Sequence, residues 1–151
     1  MAYQDRRVVV TGAAALSPLG HDWPSIRAHL GSYRNAVQPM PQWDIYAGLN
    51  TKLAAPAQPF ELPSNYNRKT TRSMGRVAVM AVRATEMALE QAGLLGHPVL
   101  RSGMAGVAYG SSSGCHDATG EFGRMLHELT TEGISATVSY THLTLPTKRI
   151  V

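Results

Sequence analysis

The stretch "RSMGRVAVMAVRATEMALEQAGL" constrains the fold more than any other part of the chain. Its composition and periodicity predict a helix over about residues 71–92, stopped by Gly93, because glycine takes the left-handed backbone that ends helices. Gly75, Ala78, Ala81, Ala84, Ala88 and Ala92 recur every three or four residues, giving one face made of small side chains. Such a face lets a second backbone approach closely. Val77, Met80, Val82, Met87 and Leu89 place apolar surface on other faces as well, so the expected setting is a largely buried helix within a layered domain.

Two other segments supply the layer. "RRVVVTG" (6–12) and "MAGVAYG" (104–110) are short apolar runs closed by glycine and read as buried strands. A first helix is expected after "AAALSPLGHDW", with Asp22 as N-cap, Pro24 in the first turn and Gly31 at its end. Residues 32–63 hold five prolines and read as an irregular excursion with one brief strand near 52–55. Excursions of that length often cover a site or an interface. A last helix is expected over about 117–129. The order strand, helix, helix, strand, helix predicts an α/β fold with a largely parallel sheet.

A chain of 151 residues suits one domain. With 44% hydrophobic and 16% charged residues it has the composition of a globular protein and not of a disordered one. No apolar run approaches the roughly 20 residues of a membrane span, and "MAYQDRRVVV" has no secretory-signal pattern, so a cytoplasmic setting without membrane contact is expected. The lone Cys115 excludes an internal disulfide, and the six histidines lack metal-ligand spacing; no metal and no cofactor is expected.

"YGSSSGCHD" (109–117) carries the densest reactive chemistry. It spells G-x-S-x-G from Gly110 to Gly114 between a strand and a helix, the setting in which Ser112 would serve a serine hydrolase as nucleophile. Too little chain follows to carry the acid and histidine of a triad. A loop whose glycines permit close approach and whose serines satisfy nearby N–H groups is the favoured reading. Cys115 and His116 are adjacent, and adjacent side chains diverge, so a small, partly sheltered cysteine is expected rather than a dyad. Arg68, Lys69, Arg72 and Arg76 cluster at the expected start of the long helix, where cations oppose the macrodipole. A partner with negative charge would account for them. Nucleic acid is not expected, because stacking aromatics are not interleaved with the cations.

In order along the chain, "RRVVVTG" with "LSPLG", "RKTTRSMGR" with "ALEQAGL", and "GVAYGSSSG" resemble the opening strand, buried helix and glycine loop of the β-ketoacyl-[acyl-carrier-protein] synthases, condensing enzymes of thiolase-like fold. The tone of "WDIYAGLNTKLAAP" and "TRSMGRVA" is similar to synthases of bacterial aryl-polyene and related polyketide pathways. Departures are Ala14 for a usual glycine, Gly75 for a common aspartate, and serines within the glycine-rich loop. The resemblance implies the N-terminal portion of a thiolase-like layered α/β fold, incomplete, and a decarboxylative Claisen condensation of acyl and malonyl thioesters in fatty acid or polyketide synthesis. It also implies that the catalytic cysteine and two histidines belong to later segments. No catalytic residue is then assigned to this chain, and it is expected to be inactive alone.

The family's likeness further implies that Lys69 and Arg72 help dock the acyl carrier protein with its phosphopantetheine-bound acyl group, and that Ser113 stands beside the acyl pocket. The whole enzyme would be a homodimer or heterodimer. A non-catalytic carrier-protein-binding module is the other alternative to the hydrolase. Residues 1–137 are assigned to the synthase domain, and 138–151, "VSYTHLTLPTKRIV", to a foreign tail whose first ten residues resemble a translated transposase adapter. Excluding Lys148 and Arg149 takes the formal charge from +4 to +2.

Overall fold

The computed structural model describes residues 7–132 apart from Ser73, Ser113 and the side chain of Ala118. The described residues fall into two compact units, 7–61 with 84–106, and 62–83 with 107–132.

In the first unit, helix α1 spans Trp23–Gly31 and begins as the sequence dictates. The Ser25 amide donates to Asp22 Oδ1 at 2.8 Å and the Ser25 hydroxyl to Oδ2 at 2.7 Å, which satisfies a free helix-start donor. These two bonds, the amide's foremost, hold the exposed Asp22 carboxyl below the ordinary aspartate value of 3.8. The 32–63 excursion contains a minimal antiparallel pair, β1 (Gln38–Pro39) against β2 (Leu53–Ala54), with Gln38 opposite Ala54. It then returns to the "LSPLG" turn: the Gln58 side chain donates to the Pro18 carbonyl at 3.2 Å, and His21 Nε2 meets the Pro59 carbonyl at 3.1 Å. That turn closes on itself, with Ser17 and Gly20 exchanging backbone hydrogen bonds.

Helix α2 is one turn, Arg68–Thr71, capped by Asn67. Helix α3 spans Arg76–Gln91. The single helix expected from residue 71 is therefore two. Asn67 accepts the Thr70 amide at 3.0 Å and starts its own turn, the Met74 amide closes on the Thr71 carbonyl at 2.8 Å, and the first bond of α3 runs from Val79 to the Gly75 carbonyl. Gly93 ends α3 with φ +69, as expected. Helix α4 spans His116–Glu128 and is terminated by Leu129 in the left-handed conformation, φ 54.

Three expectations are corrected. Residues 6–12 and 104–110 carry no strand pairing among the described residues: Val8 is 95% exposed, Val9 71%, Val10 87% and Val107 74%. The sheet described is the two-residue antiparallel pair, not a parallel one. Helix α3 is sheltered over residues 79–89, but none of its residues is fully buried. The physical reason is common to all three: β-branched runs and multi-faced apolar helices need neighbouring layers, and a pattern suited to burial does not itself provide the partner surface.

The small-residue face does what was expected where a neighbour is present. A Cβ added to Gly12 would overlap the Ala88 carbonyl oxygen and lie 3.2 Å from the Ala92 Cβ, so the Gly12 backbone rests on α3. The next residue's amide, Ala13 N–H, donates to Gln91 Oε1 at 2.6 Å.

Candidate functional site

The second unit holds the residues singled out by their chemistry. Arg68 and Lys69 open α2, Arg72 is its C-cap, and Arg76 begins α3; all four are exposed. The i, i+4 spacing of Arg68 and Arg72 puts them on one side of the turn. Splitting the helix alters the electrostatic reading. Arg72 lies at a carbonyl-rich helix end, where a cation is favoured, and only Arg76 opposes the dipole of a helix of appreciable length. Accommodation of Arg72 therefore has a local explanation, while the grouping of four exposed cations within nine residues, 68–76, does not.

The glycine-serine loop is a turn and not a catalytic elbow. Ser111 Oγ accepts the Gly114 amide at 3.0 Å, and Gly114 has φ +62, a left-handed conformation that glycine tolerates. Ser112 is exposed, and among the described residues no histidine or carboxylate is hydrogen-bonded to it. The arrangement gives no support to a serine hydrolase. Ser113 lies outside the described residues.

Cys115 is 8% exposed, the most sheltered apolar side chain among the described residues. Its thiol points towards Asp117 Oδ2 at 3.8 Å and not to His116, so the expected divergence of the adjacent pair is found. On its other side is Gly75: a Cβ there would overlap the Cys115 Sγ and Cβ. The missing side chain of Gly75 thus leaves the room that Cys115 fills. The Gly75–Cys115 contact escaped the sequence reading, which noted both residues separately; nothing local in either segment signals the other. Among the described residues no three His, Cys, Asp or Glu side chains converge on a metal site, and no helix is long and apolar enough to cross a membrane.

The backbone course is that of a thiolase-like fold, here as a partial α/β piece. A crystal structure of a β-ketoacyl synthase from Burkholderia phymatum STM815 superposes with a TM-score of 0.81 and 44% identity, covering 87% of this chain and 32% of that one. Residues 5–146 match the family described as "Beta-ketoacyl synthase, N-terminal domain", and the chain belongs to that family. Nodulation protein E of Rhizobium meliloti (strain 1021) is 40% identical over 91 residues, and that of Rhizobium sp. (strain N33) 37% over 91 residues. Each alignment takes in 60% of this chain, which spans 22% of the length of these curated relatives. The expected boundary between residues 137 and 138 lies outside the described residues, and the family match runs beyond it.

Proposed function

We propose that this chain is the N-terminal part of a β-ketoacyl-[acyl-carrier-protein] synthase that joins acyl and malonyl thioesters with loss of carbon dioxide, in fatty acid or polyketide synthesis. The observation that carries the reading is the family match over residues 5–146, joined to 44% identity with a solved synthase. The catalytic cysteine and the two histidines of that reaction are assigned to segments beyond this chain. Cys115, turned away from His116 and packed on Gly75, has a structural role. The 151-residue chain is inactive alone. The likeness of "VSYTHLTLPT" to a translated adapter supports reading 138–151 as a foreign tail, against a family match that runs on to residue 146, and the complete enzyme works in the cytoplasm as a homodimer or heterodimer.

Lys69 and Arg72 meet the acidic carrier protein. Two exposed cations on one turn are suited to steering a negatively charged partner, through a contact that weakens with added salt. Ser113, between Ser111 and Gly114 in the sequence, limits the acyl chain by its size. The test is carrier-protein binding to the chain, followed by Lys69→Glu and Arg72→Glu. Charge reversal is expected to weaken binding by about tenfold or more each at low salt, with the difference shrinking as salt is raised. Unchanged affinity would remove Lys69 and Arg72 from the contact. Condensation by the isolated chain, measured as carbon dioxide release from malonyl-carrier protein with an acyl partner, would refute the assignment of the catalytic residues.

A further inference from the structure

Residues 7–11, "RVVVT", are a β-branched run that the first unit holds in place but does not cover. Val8, Val9 and Val10 are 71–95% exposed, and among the described residues none makes a backbone hydrogen bond to them. In an extended chain residues 8 and 10 project to one face and residue 9 to the other, so both faces are bare. The run is nonetheless seated at its end. The Gly12 backbone rests on Ala88 and Ala92 of α3, and the Ala13 amide donates to Gln91 Oε1 at 2.6 Å. A held edge of unmet N–H and C=O groups, lined with valines, is a template for another strand.

We infer that this strand is a docking surface for a second copy of the chain: two copies pair through residues 7–11 as antiparallel strands, with Val9 opposite Val9 of the second copy. The run is its own complement. About a two-fold axis at Val9, Val8 meets Val10 of the second copy and Arg7 meets Thr11, so valine lies opposite valine at the three central positions and no charge faces a like charge. The two Arg7 side chains then stand four residues apart along the strands, about 14 Å, which is beyond the screening length of about 8 Å at physiological salt. A parallel, in-register pair sets Arg7 directly against Arg7 and is disfavoured. Among the described residues no carboxylate pairs with Arg7 to relieve that repulsion. The pairing ends before Gly12, because the backbone there already lies against α3.

The test uses the full 151-residue chain. Sedimentation equilibrium from about 10 μM to 1 mM is expected to show the mass rising from one copy towards two. Val9→Lys puts like charges opposite each other at the axis and should weaken the association about tenfold or more. Ile45→Lys is the control: Ile45 is 79% exposed outside the run, and its change should leave the association within about twofold. Register is read by the oxidation of single-cysteine variants carried on Cys115→Ala. Val9→Cys should cross-link between copies about tenfold or more faster than Val8→Cys, because residue 9 faces itself at about 5 Å whereas residue 8 faces residue 10. Mixing Val8→Cys with Val10→Cys should restore the faster rate. The sedimentation comparison keeps the natural Cys115 and decides the matter if Cys115→Ala fails to fold. A chain that is monomeric throughout the range, or equal cross-linking from residues 8 and 9, would overturn the proposal. So would a chain whose 8–10 amides gain protection from hydrogen exchange only when the remaining part of the synthase is added, since that occupant would then own the strand.

Discussion

Replacing Gly12 by alanine tests the seat of the N-terminal segment on α3. The added methyl would overlap the Ala88 carbonyl oxygen and come within 3.2 Å of the Ala88 carbonyl carbon and the Ala92 Cβ. All of these atoms belong to or abut helix backbone and cannot swing aside like the end of a flexible side chain. Overpacking against rigid surroundings costs about 1–3 kcal/mol. The movement that relieves it also draws Ala13 from Gln91, where a 2.6 Å hydrogen bond stands, at a further cost of about 0.5–1.5 kcal/mol. Together these give roughly 2–4 kcal/mol, and at about 1.4 kcal/mol per tenfold the local opening should become about 30- to 1,000-fold more frequent. Hydrogen exchange at the Ala13 amide, followed by NMR, reads that opening directly. Its rate in Gly12→Ala should rise by that factor or reach the unprotected rate. Val9→Ala is the control: Val9 is 71% exposed, and its truncation should stay within about 0.5 kcal/mol. Exchange at Ala13 within twofold of the unsubstituted chain would show that Gly12 does not bear on α3.

Heating the isolated chain should give no single sharp calorimetric peak. Val8, Val9, Val10, Met104 and Val107 are 71–95% exposed, and full burial of each would contribute about 1.5–3 kcal/mol, together about the whole net stability of an ordinary domain. One cooperative transition with an enthalpy near 0.7 kcal/mol per residue would contradict this. Acid should fray α1: the Asp22 carboxyl is depressed in the folded chain, so its cap is fully present above the ordinary value of 3.8 and is lost as pH falls through the lower folded value. Helical circular dichroism between pH 5 and 2 should show this loss, and Asp22→Asn should flatten it; an identical profile in the variant would exclude Asp22 as the cause. Leu129→Gly should steady the end of α4, because Leu129 holds φ 54 while 91% exposed and so loses left-handed strain without losing packing. The net gain is about 0.5–1 kcal/mol after the added flexibility of glycine, and slower exchange in the last turn of α4 would register it; faster exchange would contradict it.

What was legible in the sequence follows the range of the interactions involved. Asp22, Ser25 and Pro24 lie within one helical turn, so the start of α1 could be read from adjacent letters. Gly93 likewise marks the end of α3 because the need for a positive φ is local. The start of α3 was placed too early for an equally local reason, the Asn67 cap that closes a separate turn before it. Strand pairing is different. Three valines state that residues 8–10 suit a sheet, but the hydrogen bonds of a strand belong half to another segment, and no described residue supplies them. The family was legible for the opposite reason: three short motifs in order carry identity even where no strand pairing is seen among the described residues.

The small-residue face of α3 shows how a correct pattern can leave its purpose open. Spacing predicted a close approach of some second backbone along the whole face, without saying which or how often. Among the described residues, close approach is seen at two separated places, with different neighbours: Gly12 on Ala88 and Ala92, and Cys115 on Gly75 just before the helix. At the first the small residue on α3 admits backbone, and the limiting atom is the Ala88 carbonyl oxygen, which no rotamer can move. At the second the glycine admits a side chain, and the limiting atoms are the Sγ and Cβ of Cys115, which a substitution at residue 115 can remove. A Gly12→Ala defect should therefore resist rescue by any side-chain change at residue 88, whereas a Gly75→Ala defect should be relieved by Cys115→Gly. The same compositional stripe thus contains one position fixed by backbone and one open to compensation, a distinction set by the opposing atoms and absent from the spacing.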